Sequence, residues 1–207
     1  MTDLSKIYLF RMTHIENVPH ILQHGITHLA SPNYNSLYKS IGDSSLISKR
    51  HSVVLPNKKS ISDYIPFYFW GRMPMLYIIQ NGFNGVPIIK PKNIVYFVTN
   101  VTIIQQHQLP FVFSNGHGKS KLTKFFTEED IIDAESIIDF EAIKDKSWNK
   151  EDDTDYKRRK EAEFLIEPDI PYSTLGTFIV YNQEAKDNLV NFGVAEGKIK
   201  INQTYYF

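Results

Sequence analysis

The sequence predicts one α+β domain, and three observations carry that prediction. Some segments repeat apolar residues at helical spacing, while others are short continuous runs of β-branched and aromatic residues. The two kinds follow one another without the regular strand-helix alternation of a parallel α/β sheet. With 207 residues, 42% of them hydrophobic, the chain is long enough for one substantial core and fits one domain better than two.

Residues 7–10 read as a short buried strand. Asn17-Val18-Pro19 then opens a helix, since proline suits a first turn and Val18, Ile21 and Leu22 recur on one face before Gly25, a residue suited to ending it. From 31 to 59 the pattern weakens into a Ser- and Asn-rich stretch with Tyr34, Tyr38, Ile41 and Leu46 as scattered anchors. This predicts a long, partly ordered loop, a kind of segment often tied to function. Pro74 starts a second helix through Met75, Leu76, Ile78 and Ile79, stopped by Asn81-Gly82. Residues 94–98 are continuously β-branched and aromatic, as a buried central strand requires. Further strands are expected at 163–166, 177–181 and 199–207, with an amphipathic helix over 183–192 ahead of Gly193. Between 144 and 162, Glu151, Asp152, Asp153 and Asp155 are followed by Lys157, Arg158, Arg159 and Lys160. That bias predicts a solvated, mobile segment.

Composition excludes several function classes. Lysine plus arginine equals aspartate plus glutamate at 23 each, so no global positive field drives duplex binding, and any nucleic-acid contact is local. Zero cysteines remove disulfides, thiolate catalysis and Cys-based zinc sites. No apolar run is long enough to cross a bilayer and the first thirty residues lack a secretory pattern, so a cytoplasmic protein is expected. The 12 Tyr and 14 Phe suit a β-rich core and equally supply stacking faces for unpaired bases.

Four groups of residues are candidates for chemistry. Glu163 precedes Phe164-Leu165-Ile166, which puts a carboxylate at the mouth of a buried strand, where it is costly unless paired or used. Glu161 would share its face if the strand began earlier; both also fit exposed edge residues paired with Arg158 or Lys160. Thr13-His14 falls between the first strand and first helix, where a histidine can reach a ribose hydroxyl or phosphate, or simply cap the helix. In the aromatic segment 66–77, Arg72 suits a phosphate beside stacked bases, or a cation snorkelling from a core strand. His20, His24 and His28 are spaced by four, but neither the zinc-protease pattern nor a third ligand accompanies them, so no metal is expected. Asn115-Gly116-His117-Gly118 lacks the Lys-Ser/Thr of a phosphate loop.

In order, Thr13-His14-Ile15-Glu16-Asn17 with Ile21-Leu22 and Gly25, Ile41-Gly42 leading to Arg50, and Asp63-Tyr64-Ile65-Pro66-Phe67-Tyr68-Phe69 with Arg72 and Pro74-Met75-Leu76-Tyr77 resemble the DarT family in its thymidine-modifying branch. The resemblance continues through Ser114-Asn115-Gly116-His117 to Arg158-Arg159 and Ala162-Glu163-Phe164-Leu165, and covers most of the chain. It implies an ADP-ribosyltransferase (PARP-like) fold, a split mixed β core with peripheral helices. It also implies NAD as co-substrate, held near Thr13, His14, Ile15, Gly25 and Arg50 under a loop at about 31–52. A segment at about 117–163 would contact single-stranded DNA, with Tyr68, Arg72, Met75, Tyr77, His117, Trp148, Lys157, Arg158 and Arg159 as the expected contacts.

The resemblance makes Glu163 and Arg50 the catalytic residues. A carboxylate at Glu163 would stabilise the oxocarbenium-like ribose left as nicotinamide departs. Arg50 would face the thymine ring nitrogen as it loses its proton; a guanidinium is a poor base, so it is better described as stabilising the developing anion. The family has Asn-Pro-Arg or a similar triplet where this chain has Trp70-Gly71-Arg72, which predicts a looser turn, an added stacking face and altered preference for flanking nucleotides. The implied partners are thymidine-containing single strands and a DarG-type macrodomain antitoxin, with the protein a monomer. Other readings are the same fold acting on guanine, RNA or protein, and a non-catalytic module that holds single strands.

Overall fold

The β-branched and aromatic run starting at Ile94 becomes the centre of a sheet because both of its faces are covered. In a computed structural model describing residues 2–55 and 57–207, Val95 and Phe97 join one hydrophobic cluster while Ile94, Tyr96 and Val98 join another. The strands are β1 (Tyr8–His14), β2 (Ile65–Tyr68), β3 (Ile94–Asn100), β4 (Phe111–Ser114), β5 (Phe125–Phe126), β6 (Glu163–Ile166), β7 (Thr177–Val180) and β8 (Ile199–Ile201). They run in the order β5-β4-β6-β2-β1-β3-β7-β8, antiparallel except for the parallel pair β7-β8.

The register explains where a cleft can form. β1 pairs with β3 from Tyr8↔Asn100 to His14↔Ile94, and β2 pairs with β6 from Ile65↔Ile166 to Tyr68↔Glu163. Between β1 and β2 the one Cα pairing is Phe10↔Tyr68. Continuing that register would set Met12 against Pro66, which has no N–H to give. The strands part there instead, and Arg11 Nη1 reaches across to donate to the Pro66 carbonyl at 2.8 Å.

The helices are α1 (Val18–His24), α2 (Ser44–Lys49), α3 (Pro74–Asn81), α4 (Val101–Gln106), α5 (Ala134–Ile137), α6 (Phe140–Lys144), α7 (Tyr156–Lys160) and α8 (Gln183–Asn191). The proline starts and glycine ends of α1 and α3 agree with the sequence reading, with φ of 75° at Gly25 and 72° at Gly82. Gly25 is also needed for close approach, since a Cβ there would lie 2.2 Å from the Ile170 carbonyl oxygen. Among the described residues no helix is long and apolar enough to cross a membrane, and no group of three or more His, Asp or Glu is placed to hold a metal.

Several expectations need correction. β1 runs on to His14 rather than ending at Phe10. The final strand stops at Ile201, because the Asn202 side chain accepts from Thr204 N and captures a 3-10 turn at Gln203–Tyr205. The stretch from 31 to 59 contains α2, capped by Asp43 through Ser45 N and Leu46 N and continued by a 3-10 turn at Arg50–Ser52; its residue 56 lies outside the described residues.

The charged stretch from 144 to 162 is solvated only in part: Glu151, Asp152 and Lys157 are exposed, while its arginines and Lys160 are tied into the protein. Arg159 bridges Asp139 and Asp153 at 2.8 and 2.6 Å. Lys160, 0% exposed, donates to the carbonyls of Ala142, Ile143 and Asp145. Burial pushes its ammonium down to about 8, but each of its three protons has an acceptor at the end of α6, and it stays charged at neutral pH.

Candidate active site

Where β1 and β2 part, a cleft of about 440 Å³ opens, lined by residues of β1, β2, α2, α3 and the loop after β4. Its volume is in the range of small-molecule sites. Glu163 begins β6 beside Tyr68 and is 1% exposed. Its Oε2 accepts from Arg50 Nη1 at 2.7 Å and its Oε1 from Gly118 N at 2.9 Å. Burial works against the Arg50 charge, and the facing carboxylate more than offsets it, raising the guanidinium pKa. The half-buried Tyr68 phenol is pushed up by desolvation and by Glu163, so it remains a neutral donor in the cleft.

The backbone around Glu163 is held from three sides. Ser114 Oγ accepts from Glu163 N at 3.0 Å and donates to Gly116 O at 2.7 Å. Arg158 Nη1 donates to Asn115 O, Asn115 Oδ1 and Thr123 Oγ1, and its carbonyl receives His117 N at 2.9 Å. A Cβ on Gly118 would sit 2.8 Å from Glu163 Oε1, so any larger residue there would displace the carboxylate. His117 lines the cleft; burial lowers its pKa, and Nδ1 accepts from Lys119 N at 3.2 Å. The neutral ring therefore carries its proton on Nε2, as a donor.

On the other wall, Thr13 lines the cleft and its hydroxyl accepts from Asn17 Nδ2 at 2.9 Å. Asn17, fully buried, also donates to Lys39 O and accepts from Lys39 N, at 2.9 and 2.8 Å. It pins the 31–52 segment to the start of α1. Replacing Asn17 with Ala removes all three bonds and leaves the Lys39 groups without partners; a loss of about 2–3 kcal/mol is expected, with a raised KM for the molecule that occupies the cleft. Equilibrium denaturation and steady-state kinetics would check both, and an unchanged KM would remove Asn17 from the site.

The sequence-predicted residues divide accordingly. Arg50, Tyr68, Met75, His117 and Thr13 line the cleft, and Glu163 is bonded to one of them. His14 and Ile15 do not line it: Ile15 packs in the core, and His14, its pKa lowered by burial, accepts from Glu16 N through Nδ1. Gly25 acts through the approach to Ile170 described above. Arg158 and Arg159 are taken up internally. Arg72 stacks on Phe207, 4.3 Å from the ring centroid, with its buried Nε unpartnered. The expected loosening at Trp70-Gly71 is absent: Trp70 packs against Phe10 and Tyr205, and a Cβ on Gly71 would meet Tyr205 at 2.6 Å. Tyr77, Trp148 and Lys157 gather in a separate groove.

Arg11 and Lys119 are site residues that sequence reasoning did not single out, and Asn17, Ser114 and Gly118 fell within its motifs without a site role, because their importance comes from tertiary neighbours. Glu161 would share the face of Glu163 on a strand that began earlier, but it ends α7 with φ −95° and ψ 27°. Burial pushes its carboxyl up to about 7 despite nearby Lys157. A carboxyl raised on folding costs stability as pH climbs from its unfolded value, about 4.3, through 7. Glu161→Gln is therefore expected to add about 1–2 kcal/mol at pH 8, discounted for partial exposure, and nothing near pH 4. Thermal unfolding at the two pH values checks it; an equal shift at both would contradict the burial argument.

A family model described as ssDNA thymidine ADP-ribosyltransferase, DarT, matches residues 10–207. A DNA ADP-ribosyl transferase of Escherichia coli is 31% identical over 87% of this chain and 83% of its own. A DNA ADP-ribosyl transferase-DNA ADP-ribosyl glycohydrolase fusion protein of Thermosipho africanus is 29% identical over 87% of this chain and 44% of its own. The solved structure of Thermus sp. 2.9 DarT in complex with ADP-ribosylated ssDNA superimposes with a TM-score of 0.85 at 25% identity, covering 97% of this chain and 96% of that one.

Proposed function

The chain belongs to the DarT family of single-stranded DNA thymidine ADP-ribosyltransferases, and from that premise we propose how its residues move ADP-ribose from NAD to thymidine in single-stranded DNA. The observation that carries the assignment of roles is the buried Arg50-Glu163 pair beside a cleft in a split sheet. NAD enters the cleft against Thr13, beneath the 31–52 segment fixed by Asn17. Arg11 and Lys119 are cations on the cleft wall, suited to the pyrophosphate.

Glu163 holds a ribose hydroxyl and faces the positive charge that develops as the bond between ribose C1 and nicotinamide breaks. For that it exchanges the Arg50 contact for the substrate, and Arg50 turns its forked donors to the thymine carbonyls. A thymine ring nitrogen loses its proton to water and forms the new bond to C1, while nicotinamide leaves as a neutral molecule. The His117 Nε2–H and the Tyr68 hydroxyl are two further donors for the thymine oxygens, and Met75 supplies an apolar contact to the ring. Met75, Tyr68 and His117 are accordingly acceptor-side residues in this reading; Arg158 positions the loop that carries His117 and Gly118.

Residues 1–207 are read as one transferase domain with the cofactor cover at 31–52 and the acceptor segment within 117–163. The protein acts as a toxin, with a DarG-type macrodomain antitoxin as its partner, a pairing suggested by the Thermosipho fusion protein. A monomer in the cytoplasm completes the proposal, testable by sedimentation and cell fractionation. The deciding experiment incubates the protein with NAD and single-stranded oligonucleotides with and without thymidine, and reads added mass. One ADP-ribose on thymidine-containing strands alone supports the reading. Nicotinamide release with every strand unmodified would move the acceptor to another class.

A further inference from the structure

Several histidines line the cleft, and what each can do depends on which ring nitrogen carries the proton. His117 presents its Nε2–H. His28 Nε2 faces the Ser62 carbonyl at 2.9 Å, which can only accept, and its Nδ1 accepts from Ala30 N at 3.2 Å, so neither nitrogen is left over. His20, on α1 beside His24 at 4.7 Å, has no hydrogen bond among the described residues to orient it.

His51 differs, and a chain of side-chain contacts shows why. Ser60 Oγ gives its one proton to the Arg50 carbonyl at 3.1 Å. The contact between Ser60 Oγ and Ser62 Oγ at 2.8 Å then runs with Ser62 as donor. Having given up its own proton, Ser62 Oγ accepts from His51 Nδ1, 2.8 Å away. The network thus assigns the neutral imidazole its proton on Nδ1 and leaves Nε2 with a free lone pair. The ring is exposed on the cleft lining.

The placement suits a base for the acceptor. The turn that holds His51 also receives Arg50, whose Nη2 reaches the Ile61 carbonyl at 3.4 Å, one residue before Ser62, while Nη1 reaches Glu163. Beside that carboxylate the guanidinium keeps its proton. Of the carboxylates at the cleft, Glu163 faces the ribose, and hydrogen bonds from Ser45 and Leu46 hold Asp43 below the usual carboxylate range, which makes it a poor proton acceptor.

We propose that His51 is the general base of the transfer, its Nε2 taking the proton from the thymine ring N–H as that nitrogen bonds to ribose C1. The thymine nitrogen supplies the electron pair of the new bond. The pair of the breaking bond from C1 goes to the nicotinamide ring nitrogen, so nicotinamide leaves neutral, and the exposed imidazolium passes its proton on to water. Arg50 stabilises the thymine oxygens and His51 moves the proton, two tasks on adjacent residues. The inference rests on the cleft being the place where thymidine is modified.

The test compares two single-stranded oligonucleotides, one with a single thymidine and one with 5-trifluoromethyl-2′-deoxyuridine in its place. The trifluoromethyl group keeps much of the shape of the thymine methyl and makes the ring N–H more acidic, so a base matters less. Single-turnover rates at saturating NAD are measured for the unaltered protein, His51→Ala and His51→Gln; Gln can hydrogen-bond but takes up no proton. On thymidine both variants lose about 10²-fold or more, and on the trifluoromethyl strand the loss shrinks to about tenfold or less. Added imidazole restores part of the His51→Ala rate. Ser62→Ala, which lets the ring turn, shows a smaller loss with the same dependence on the acceptor. A merely structural role would slow both strands alike. Losses of equal size on the two strands, or near-native transfer to thymidine by His51→Ala, overturn the role of His51 alone. Failure of the unaltered protein to modify either strand overturns the cleft assignment together with it.

Discussion

Glu163→Gln is expected to lower ADP-ribose transfer to thymidine by at least about 10³-fold, the scale of removing a preorganised charge from a water-poor site. The carboxylate is 1% exposed, so the charge it offers is little screened and its loss is felt in full. Gln keeps nearly the same shape and can still accept from Gly118 N, but its amide cannot counter the charge of Arg50. A stability loss of about 1–3 kcal/mol follows, with one cooperative unfolding transition retained. Mass spectrometry of the oligonucleotide and a parallel melting curve separate the effects. Near-native transfer by a folded Gln variant would remove Glu163 from the chemistry.

Arg50→Ala reaches the same inactivity by another route. Glu163 is left buried with Gly118 N–H but without its counter-charge, and an uncompensated buried carboxylate is expected to weaken the fold by about 3 kcal/mol or more. Activity should fall about 10³-fold, since both the counter-ion and the donors to thymine are lost. Arg50→Lys restores much of the stability but little activity, because an ammonium lacks the fork. Unchanged stability of Arg50→Ala in equilibrium denaturation would mean that the pair is not electrostatically coupled as described.

Sequence reading succeeded where local chemistry decides the outcome. Pro74 and Gly82 delimit α3, Pro19 and Gly25 delimit α1, and the apolar run at Ile94 could only be central. It failed where the decisive partner lies far along the chain. Phe125–Phe126 is too short to announce a strand, and Asn202 ends β8 through a side-chain bond that periodicity cannot see. The charged stretch before Glu163 looked solvated because composition does not reveal that each arginine finds its acid. Glu163 itself was legible as a carboxylate ahead of a buried run. The supporting residues were not: Asn17 matters through Lys39, Ser114 through Gly116 and Gly118 through the room it leaves for Glu163.

The seam between β1 and β2 has a consequence for how binding and shape are linked. Thr13 and Arg11 belong to one half of the sheet, Tyr68 and Glu163 to the other, with Phe10↔Tyr68 as their one Cα pairing across the seam. Donor and acceptor molecules lodged between the halves would supply the rungs that Pro66 withholds from the ladder. The substrates are then part of the scaffold, and the alignment of the two reacting partners is set by the angle at which two half-sheets come to rest around them.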